Sequence, residues 1–299
     1  MYDIIIIGAG PSGLTAGIYA GRAGLKALVL DKSPLGGTAN TAPLVENYPG
    51  YDKISGSELM KNIIQQAKTY CEIKEFVNVK SIKKDDSIFN VETSNDSFCS
   101  KNIILATGTT HKTLDAEGIE EFTGRGVSYC AVCDGNFFVD QEVLVIGGGN
   151  SAATEALYLN RIGVKVSLVH RRDKLRCDAK LQEDLKNKNI KIYWNSVIQE
   201  VKGEVRVEEA VLLNNSTGKE TSLKVSGIFV AIGNNPNNQL AKDLGVLCND
   251  EGYINVDEYM QSNVDGVYAT GDVTGVVKQI VVSAGQGAIA SSRIQTLLL

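Results

Sequence analysis

Cys130 and Cys133, followed at once by Asp134 and Gly135, are the residues of this sequence best suited to chemistry. A Cys-x-x-Cys beside a strand–helix–strand pattern reads as a dithiol that cycles with a disulfide. Two intervening residues let the sulfurs close a small ring with little backbone movement. A mixed disulfide formed on one sulfur can therefore be resolved by the other. The nucleophile must be a thiolate, and a departing thiolate must be protonated. Asp134 could carry that proton if burial raises its pKa. Its alternative role is to cap the turn before Gly135. Half of a zinc site is a third reading of the cysteine pair, but no second Cys or His pair at ligand spacing occurs in the sequence.

Two glycine-rich turns supply nucleotide sites to either side. Ile4–Ile7 is a continuous β-branched run, as expected of a parallel strand buried on both faces. It ends in Gly8-Ala9-Gly10-Pro11-Ser12-Gly13, followed by a helical stretch to about Ala23 and a second apolar strand, Ala27–Leu30. The glycines permit a tight turn and close approach of a pyrophosphate, and the helix N-terminus attracts the phosphates. Asp31 lies 23 residues after Gly8, where a ribose-binding acid belongs. The second turn follows the strand Val143–Ile146 and reads Gly147-Gly148-Gly149-Asn150-Ser151-Ala152. After the next strand, Lys165–Val169, the sequence carries His170-Arg171-Arg172-Asp173-Lys174-Leu175-Arg176 in place of an acid. Guanidinium groups there suit a 2′-phosphate, which predicts NADPH over NADH. A solvated basic turn is the bland alternative. His170 could contact the nucleotide or serve packing and capping.

The elements that position these residues set the organisation. At 299 residues the chain can form two domains of ordinary size. Three strands end in similar small-residue turns: Ile103–Ala106 before Thr107-Gly108, Ile228–Ala231 before Ile232-Gly233, and Val267–Ala269 before Thr270-Gly271-Asp272. They predict an α/β protein with two Rossmann-like three-layer nucleotide-binding domains, the second inserted in the first. The expected boundaries are residues 1–112 with 236–299, and 113–235. Between the sites, Lys74–Ser100 alternates as short antiparallel strands do, and Ser57–Tyr70 reads as an amphipathic helix with Ser55 and Glu58 at capping-box spacing. A short helix is expected from about Val282.

Composition excludes several classes. Apolar content of 43% and charged content of 22% describe a soluble globular protein. The net charge of −5, without a basic stripe, argues against nucleic acid. No stretch approaches the ~18 apolar residues of a membrane helix. Ile4–Ile7 is too short for a signal segment and lacks a basic flank. A cytoplasmic, reducing location is therefore expected, in which a thiol pair is catalytic rather than structural. The other cysteines, Cys71, Cys99, Cys177 and Cys248, read as small buried hydrophobes or bystanders.

With these residues assembled, the sequence resembles the low-molecular-weight thioredoxin reductases over essentially its whole length. These are class II pyridine nucleotide-disulfide oxidoreductases. The resemblance rests on Gly8–Gly13, Val45–Gly50, Ala106–Gly108, Cys130–Gly135, Gly147–Ala152, His170–Arg176 and Gly271–Val273, in this order. It implies a discontinuous FAD domain, an inserted NADPH domain bearing the redox disulfide, and a homodimer. It implies FAD contacts at Gly8, Gly10, Pro11, Ser12, Gly13, Asp31, Lys32, Gly36, Gly37, Thr38, Asn47, Val79, Thr107, Gly108, Gly271, Asp272, Lys278, Gln279 and Ile280. NADPH would be held by Gly147, Gly149, Asn150, Ser151, Ala152, His170, Arg171, Arg172 and Arg176. Cys133 would face the flavin, Cys130 would attack the protein substrate, and Asp134 would be the general acid. The inserted unit would rotate between two tasks, since both its fingerprint and its dithiol must reach one flavin.

The sequence also departs from the pattern. Bacterial members commonly carry Gln-Leu after the Gly36-Gly37 pair, where this chain has Thr38-Ala39-Asn40. Thr41–Gly50 and Gly108–Lys112 look more like archaeal members, some of which use a deazaflavin donor or have lost NADPH binding. The leading expectation is an NADPH-dependent reductase of a thioredoxin- or glutaredoxin-like protein disulfide. The alternatives are a related flavin disulfide reductase with a deazaflavin donor or a small dithiol partner, and a non-catalytic redox sensor.

Overall fold

The computed structural model describes residues 1–42 and 44–298. The chain divides into two compact units, Met1–Thr110 with Asn235–Leu299, and His111–Asn234. The first unit opens with β1 (Tyr2–Ile7), α1 (Pro11–Arg22), β2 (Ala27–Leu30), α2 (Gly56–Lys68) and β3 (Glu72–Lys74). A hairpin of β4 (Val79–Asp85) and β5 (Ile88–Thr93) returns the chain to β6 (Ser97–Leu105), and β7 (Thr109–His111) leads out of the unit. The sheet order is β3-β2-β1-β6, with β6 pairing β5 along its first half.

Alternate residues of one strand must enter opposite faces of its sheet. Ile4 and Ile6 accordingly join one core with α1 and α2, while Ile5 and Ile7 join another with Phe89 and Val91 of β5. All four isoleucines are buried. This is why the run carries no polar alternation. The Ser55 hydroxyl caps α2 by accepting the Glu58 N–H at 3.2 Å.

The second unit contains β8 (Val127–Ser128), the single turn α3 (Ala131–Asp134), β9 (Glu142–Ile146), α4 (Asn150–Arg161), β10 (Lys165–Val169), α5 (Ala179–Asn187) and β11 (Lys191–Tyr193). A meander of β12 (Ser196–Lys202), β13 (Glu209–Asn214) and β14 (Glu220–Lys224) precedes β15 (Gly227–Val230). The parallel sheet has the order β11-β10-β9-β15-β8. Val143 and Val145 face α4, while Leu144 and Ile146 face the separate antiparallel sheet β12-β13-β14. That antiparallel layer is not among the elements expected from the sequence.

The chain re-enters the first unit through β16 (Asn234–Pro236), which pairs with β7. There follow α6 (Gln239–Asp243), β17 (Val267–Ala269), which extends the first sheet beside the second half of β6, and α7 (Ile280–Leu298). The C-terminal helix is not short: α7 runs 19 residues. Small residues allow this length to lie close against α1. A Cβ on Gly287 would collide with the Ser12 carbonyl, and the Ser291 hydroxyl donates to the Ala16 carbonyl at 2.8 Å.

Candidate active site

Cys130 and Cys133 are joined as a disulfide, with Cα atoms 5.3 Å apart. Cys130 lies at the N-cap of α3, and its Sγ accepts the Cys133 N–H at 3.2 Å. Such a donor favours negative charge on the Cys130 sulfur. Both cysteines are half-buried. Asp134 is half-buried too, and burial pushes its carboxyl above the usual range, opposed by a hydrogen bond from Ser128. That bond is short, with Ser128 Oγ donating to Asp134 Oδ2 at 2.6 Å. Ser128 Oγ also accepts the Cys130 N–H at 3.1 Å. Sequence pattern does not single out Ser128; a hydroxyl two residues before the first cysteine is its one signal.

The remaining cysteines are free. Burial raises the Cys71 thiol to about 11 and raises those of Cys177 and Cys248. These are thiols held protonated and poorly nucleophilic. Cys99 is exposed rather than buried, and its Sγ donates to Asn90 Oδ1 at 3.1 Å.

In the first unit the fingerprint wraps the N-terminus of α1. Gly8 has φ +110°, a left-handed conformation that favours glycine, and a Cβ there would overlap the Ala106 carbonyl. A Cβ on Gly13 would overlap Gly8 itself. At Gly10, the N-cap, a Cβ would meet nothing within 4 Å, and α1 has no capping side chain and no acid in its first turn. The helix end therefore presents its N–H groups to open space, the arrangement that receives a pyrophosphate. Asp31 sits at the end of β2, where its Oδ2 accepts the Ala9 N–H at 2.6 Å and its Oδ1 the Ser33 N–H at 2.8 Å. Gly36 donates its N–H to the Ala9 carbonyl at 2.9 Å, and a Cβ on Gly37 would lie 3.2 Å from the Gly10 Cα. These residues thus form one cradle.

Gly271 and Asp272 join it from a distant part of the chain. Ser12 Oγ donates to Thr270 Oγ1 at 2.5 Å, Gln286 Oε1 accepts the Gly271 N–H at 2.7 Å, and Ser283 Oγ donates to Asp272 Oδ1 at 3.2 Å. Thr107 is clamped by Asn237, whose Nδ2 donates to the Thr107 carbonyl at 2.9 Å while its N–H reaches Gly108. Asn47 Nδ2 donates to Gln279 Oε1 at 2.9 Å, directly before Ile280 opens α7. Lys278 Nζ donates to Tyr253 Oη at 2.8 Å. Lys32 and Thr38 are exposed, and Val79 opens β4 half-buried. Thr270, Asn237, Ser283 and Gln286 are not legible in the sequence as site residues because each acts on residues remote from it or unpatterned.

The second fingerprint repeats the logic. Gly147 has φ +154°, and a Cβ there would overlap the Ala231 carbonyl. Gly149 caps α4 with open space at its Cβ position, again with no capping side chain and no acid in the first turn. Ser151 is exposed and Ala152 buried. The basic loop is pinned beside this helix end. Asn150 and Asp178 exchange hydrogen bonds at 3.1 and 2.9 Å, and the Arg176 N–H donates to the Gly148 carbonyl at 2.6 Å. Arg171, Arg172 and Arg176 are left exposed. His170 is 5% exposed, donates from Nε2 to the Lys174 carbonyl at 2.9 Å, and has its ring against Gly148. Burial lowers its pKa. This geometry gives His170 a packing and capping role, acting on the loop that carries the arginines.

The residues present therefore fit two dinucleotides, one with a ribose acid and one with a cluster of guanidinium groups. The sequence matches the pyridine nucleotide-disulphide oxidoreductase family over residues 2–287. It is 41% identical over 304 residues to a thioredoxin reductase of Listeria monocytogenes, covering 99% of this chain and 93% of that one. It is 39% identical to a thioredoxin reductase of Bacillus subtilis, with 99% and 94% covered. The fold superposes on the crystal structure of thioredoxin reductase from Streptococcus pyogenes with a TM-score of 0.94 at 39% identity, covering 100% and 98% of the two chains. The chain thus belongs to the pyridine nucleotide-disulphide oxidoreductases, among the thioredoxin reductases, flavoproteins that use FAD and NADPH.

Proposed function

We propose that the first unit holds FAD, the second holds NADPH at Gly147–Ala152 with Arg171, Arg172 and Arg176, and Cys130–Cys133 hands electrons to the disulfide of a thioredoxin or glutaredoxin-like protein. When bound, NADPH supplies a hydride and FAD an electron-pair carrier. The chain's own residues then perform thiol–disulfide exchange. The Cys130 thiolate attacks one sulfur of the partner disulfide, and the first partner thiolate leaves and takes a proton. The Cys133 thiolate attacks the Cys130 sulfur and releases the second partner thiolate. The dithiol is oxidised, the partner disulfide is reduced, and two protons pass to the partner. The raised Asp134 carboxyl is suited to accept and return such a proton.

The single observation that carries this reading is the paired Cys130–Cys133 disulfide with Asp134 tied to it through Ser128. The test is NADPH oxidation coupled to reduction of bacterial thioredoxins and glutaredoxins. C130S and C133S should each lose at least a thousandfold in turnover, because neither single thiol can close the cycle. This thousandfold is an order-of-magnitude figure of about 4 kcal/mol. Near-normal turnover by either variant refutes the assignment.

The same reading places the protein in the cytoplasm as a homodimer. Among the described residues no helix is long and apolar enough to cross a membrane. Val276, Val277, Val281 and Ile289, at and before α7, are exposed apolar side chains that a second copy would cover. Light scattering at micromolar concentration should give twice the chain mass of 32.1 kDa.

A further inference from the structure

Ser128 is the link that the structure shows between the Asp134 carboxylate and the redox cysteines. Its hydroxyl has one hydrogen to give and two lone pairs to receive. It accepts the Cys130 N–H at 3.1 Å, which uses one lone pair. The hydrogen has two acceptors within reach, Asp134 Oδ2 at 2.6 Å and the Cys130 carbonyl at 3.4 Å. Ser128 itself is 6% exposed, so water does not readily replace these partners.

We propose that Ser128 is a positioning residue whose hydroxyl reverses with the Asp134 proton, donating to the carboxylate when Asp134 is charged and accepting from the carboxylic acid when it is neutral. In the second state the hydroxyl hydrogen turns to the Cys130 carbonyl, and the second lone pair receives the Asp134 proton. The Ser128 hydroxyl and Asp134 Oδ2 keep each other as partners in both states, so Asp134 can take up and return a proton without stranding the buried serine. The proposal deepens the dithiol reading, and rests on it for the purpose of the proton rather than for the geometry.

The hydrogen bond from Ser128 opposes the rise that burial imposes on Asp134. Removing the hydroxyl must therefore move the Asp134 titration further up. The other titratable groups to be held constant are the two cysteines of the same turn, and Glu155, Tyr158 and Arg161 of α4, which packs against α3. To these are added Tyr129, next to Ser128 in the chain, and His111, whose ring stacks on it with centroids 4.6 Å apart. All of them are common to the wild type and the variants compared.

The experiment follows the infrared carboxylic-acid band of the whole protein against pH, with D134N identifying the band that belongs to Asp134. S128A should shift that titration upward by about one unit, the margin by which a hydrogen bond to the charged carboxylate exceeds one to the neutral acid. S128T, which restores a hydroxyl, should return it toward wild type. The pH profile for release of aromatic thiolate from 5,5′-dithiobis(2-nitrobenzoate) by the pre-reduced protein should move with it in S128A and not in S128A/D134N. Thermal unfolding of each variant checks that it is folded. An unshifted band in folded S128A overturns the proposal, as does a thiolate profile that moves equally with and without the Asp134 carboxyl. Failure of the dithiol reading would show instead as turnover surviving in C130S or C133S, so the two failures are distinguishable.

Discussion

Substituting Gly148 by alanine should disturb the second nucleotide loop through one identifiable collision. Gly148 occupies the middle of Gly147-Gly148-Gly149, where the fingerprint pattern itself makes no demand for glycine. Its φ is not in the left-handed range, so alanine meets no backbone penalty. The Cβ would lie 2.7 Å from His170 Nε2 and nearer still to Cε1 and Nδ1, where ordinary contact begins at 3.4 Å. The ring has little room to withdraw, being 5% exposed and tied to the Lys174 carbonyl at 2.9 Å. Overpacking of this kind costs about 1–3 kcal/mol. Breaking the His170 hydrogen bond would add about 1 kcal/mol. G148A should therefore destabilise the second unit by about 2–4 kcal/mol, the sum of those two effects. In an H170A background the obstacle is gone and the same substitution should cost less than about 1 kcal/mol. Trp194 is the chain's single tryptophan and sits edge-on to His170 with ring centroids 6.4 Å apart, so its fluorescence reports denaturant unfolding beside the loop. If G148A unfolds at the wild-type midpoint, or if the two costs simply add in the double variant, the packing argument is refuted.

Three further outcomes follow from the same geometry. R171A/R176A should lose about ten- to a hundredfold in NADPH affinity per lost charge-assisted hydrogen bond, with NADH use little changed; equal affinity of the wild type for both nucleotides would sink the 2′-phosphate reading. Because burial raises Asp134, the folded state holds that proton more tightly than the unfolded chain; its contribution is full below the unfolded pKa and lost as pH rises through the folded one. D134N should accordingly gain stability relative to wild type as pH rises from acid to neutral, and a Tm of D134N minus that of wild type that falls over that range would contradict the sign. G287A should lower the stability of the first unit by about 1–3 kcal/mol, since its Cβ would strike the Ser12 carbonyl across the α1–α7 contact; an unchanged unfolding midpoint, read by flavin release, would show that the helices can part at little cost.

Much of the chemistry is legible in the order of the residues alone. Cys130 and Cys133 are close in sequence, and a tight ring between them needs only local backbone. Gly8, Gly10 and Gly13, like Gly147 and Gly149, are legible because strand, turn and helix follow one another within a short stretch, although the carbonyls that exclude a Cβ at Gly8 and Gly147 belong to the remote Ala106 and Ala231. The run Ile4–Ile7 announces a strand buried on both faces because periodicity is a local property. Asp31 and the arginines after β10 are legible for the same reason, being spaced from their fingerprints by one strand–helix–strand unit.

What tertiary structure alone decided is the set of partners that hold those residues in place. Ser12 meets Thr270 across 258 positions of sequence, and Asn237 clamps Thr107 across 130. Gln286 supports Gly271 from within a helix whose small residues gave no sign of its 19-residue length. The reason for Gly148 is the ring of His170, and the setting of Asp134 is a serine whose hydroxyl could have pointed elsewhere. A hydroxyl or amide carries no sequence period, because it satisfies whichever buried donor or acceptor the packing brings to it. Local propensity and hydrophobic period choose the elements and the reactive residues, whereas the partners of buried polar groups exist only after distant segments have packed.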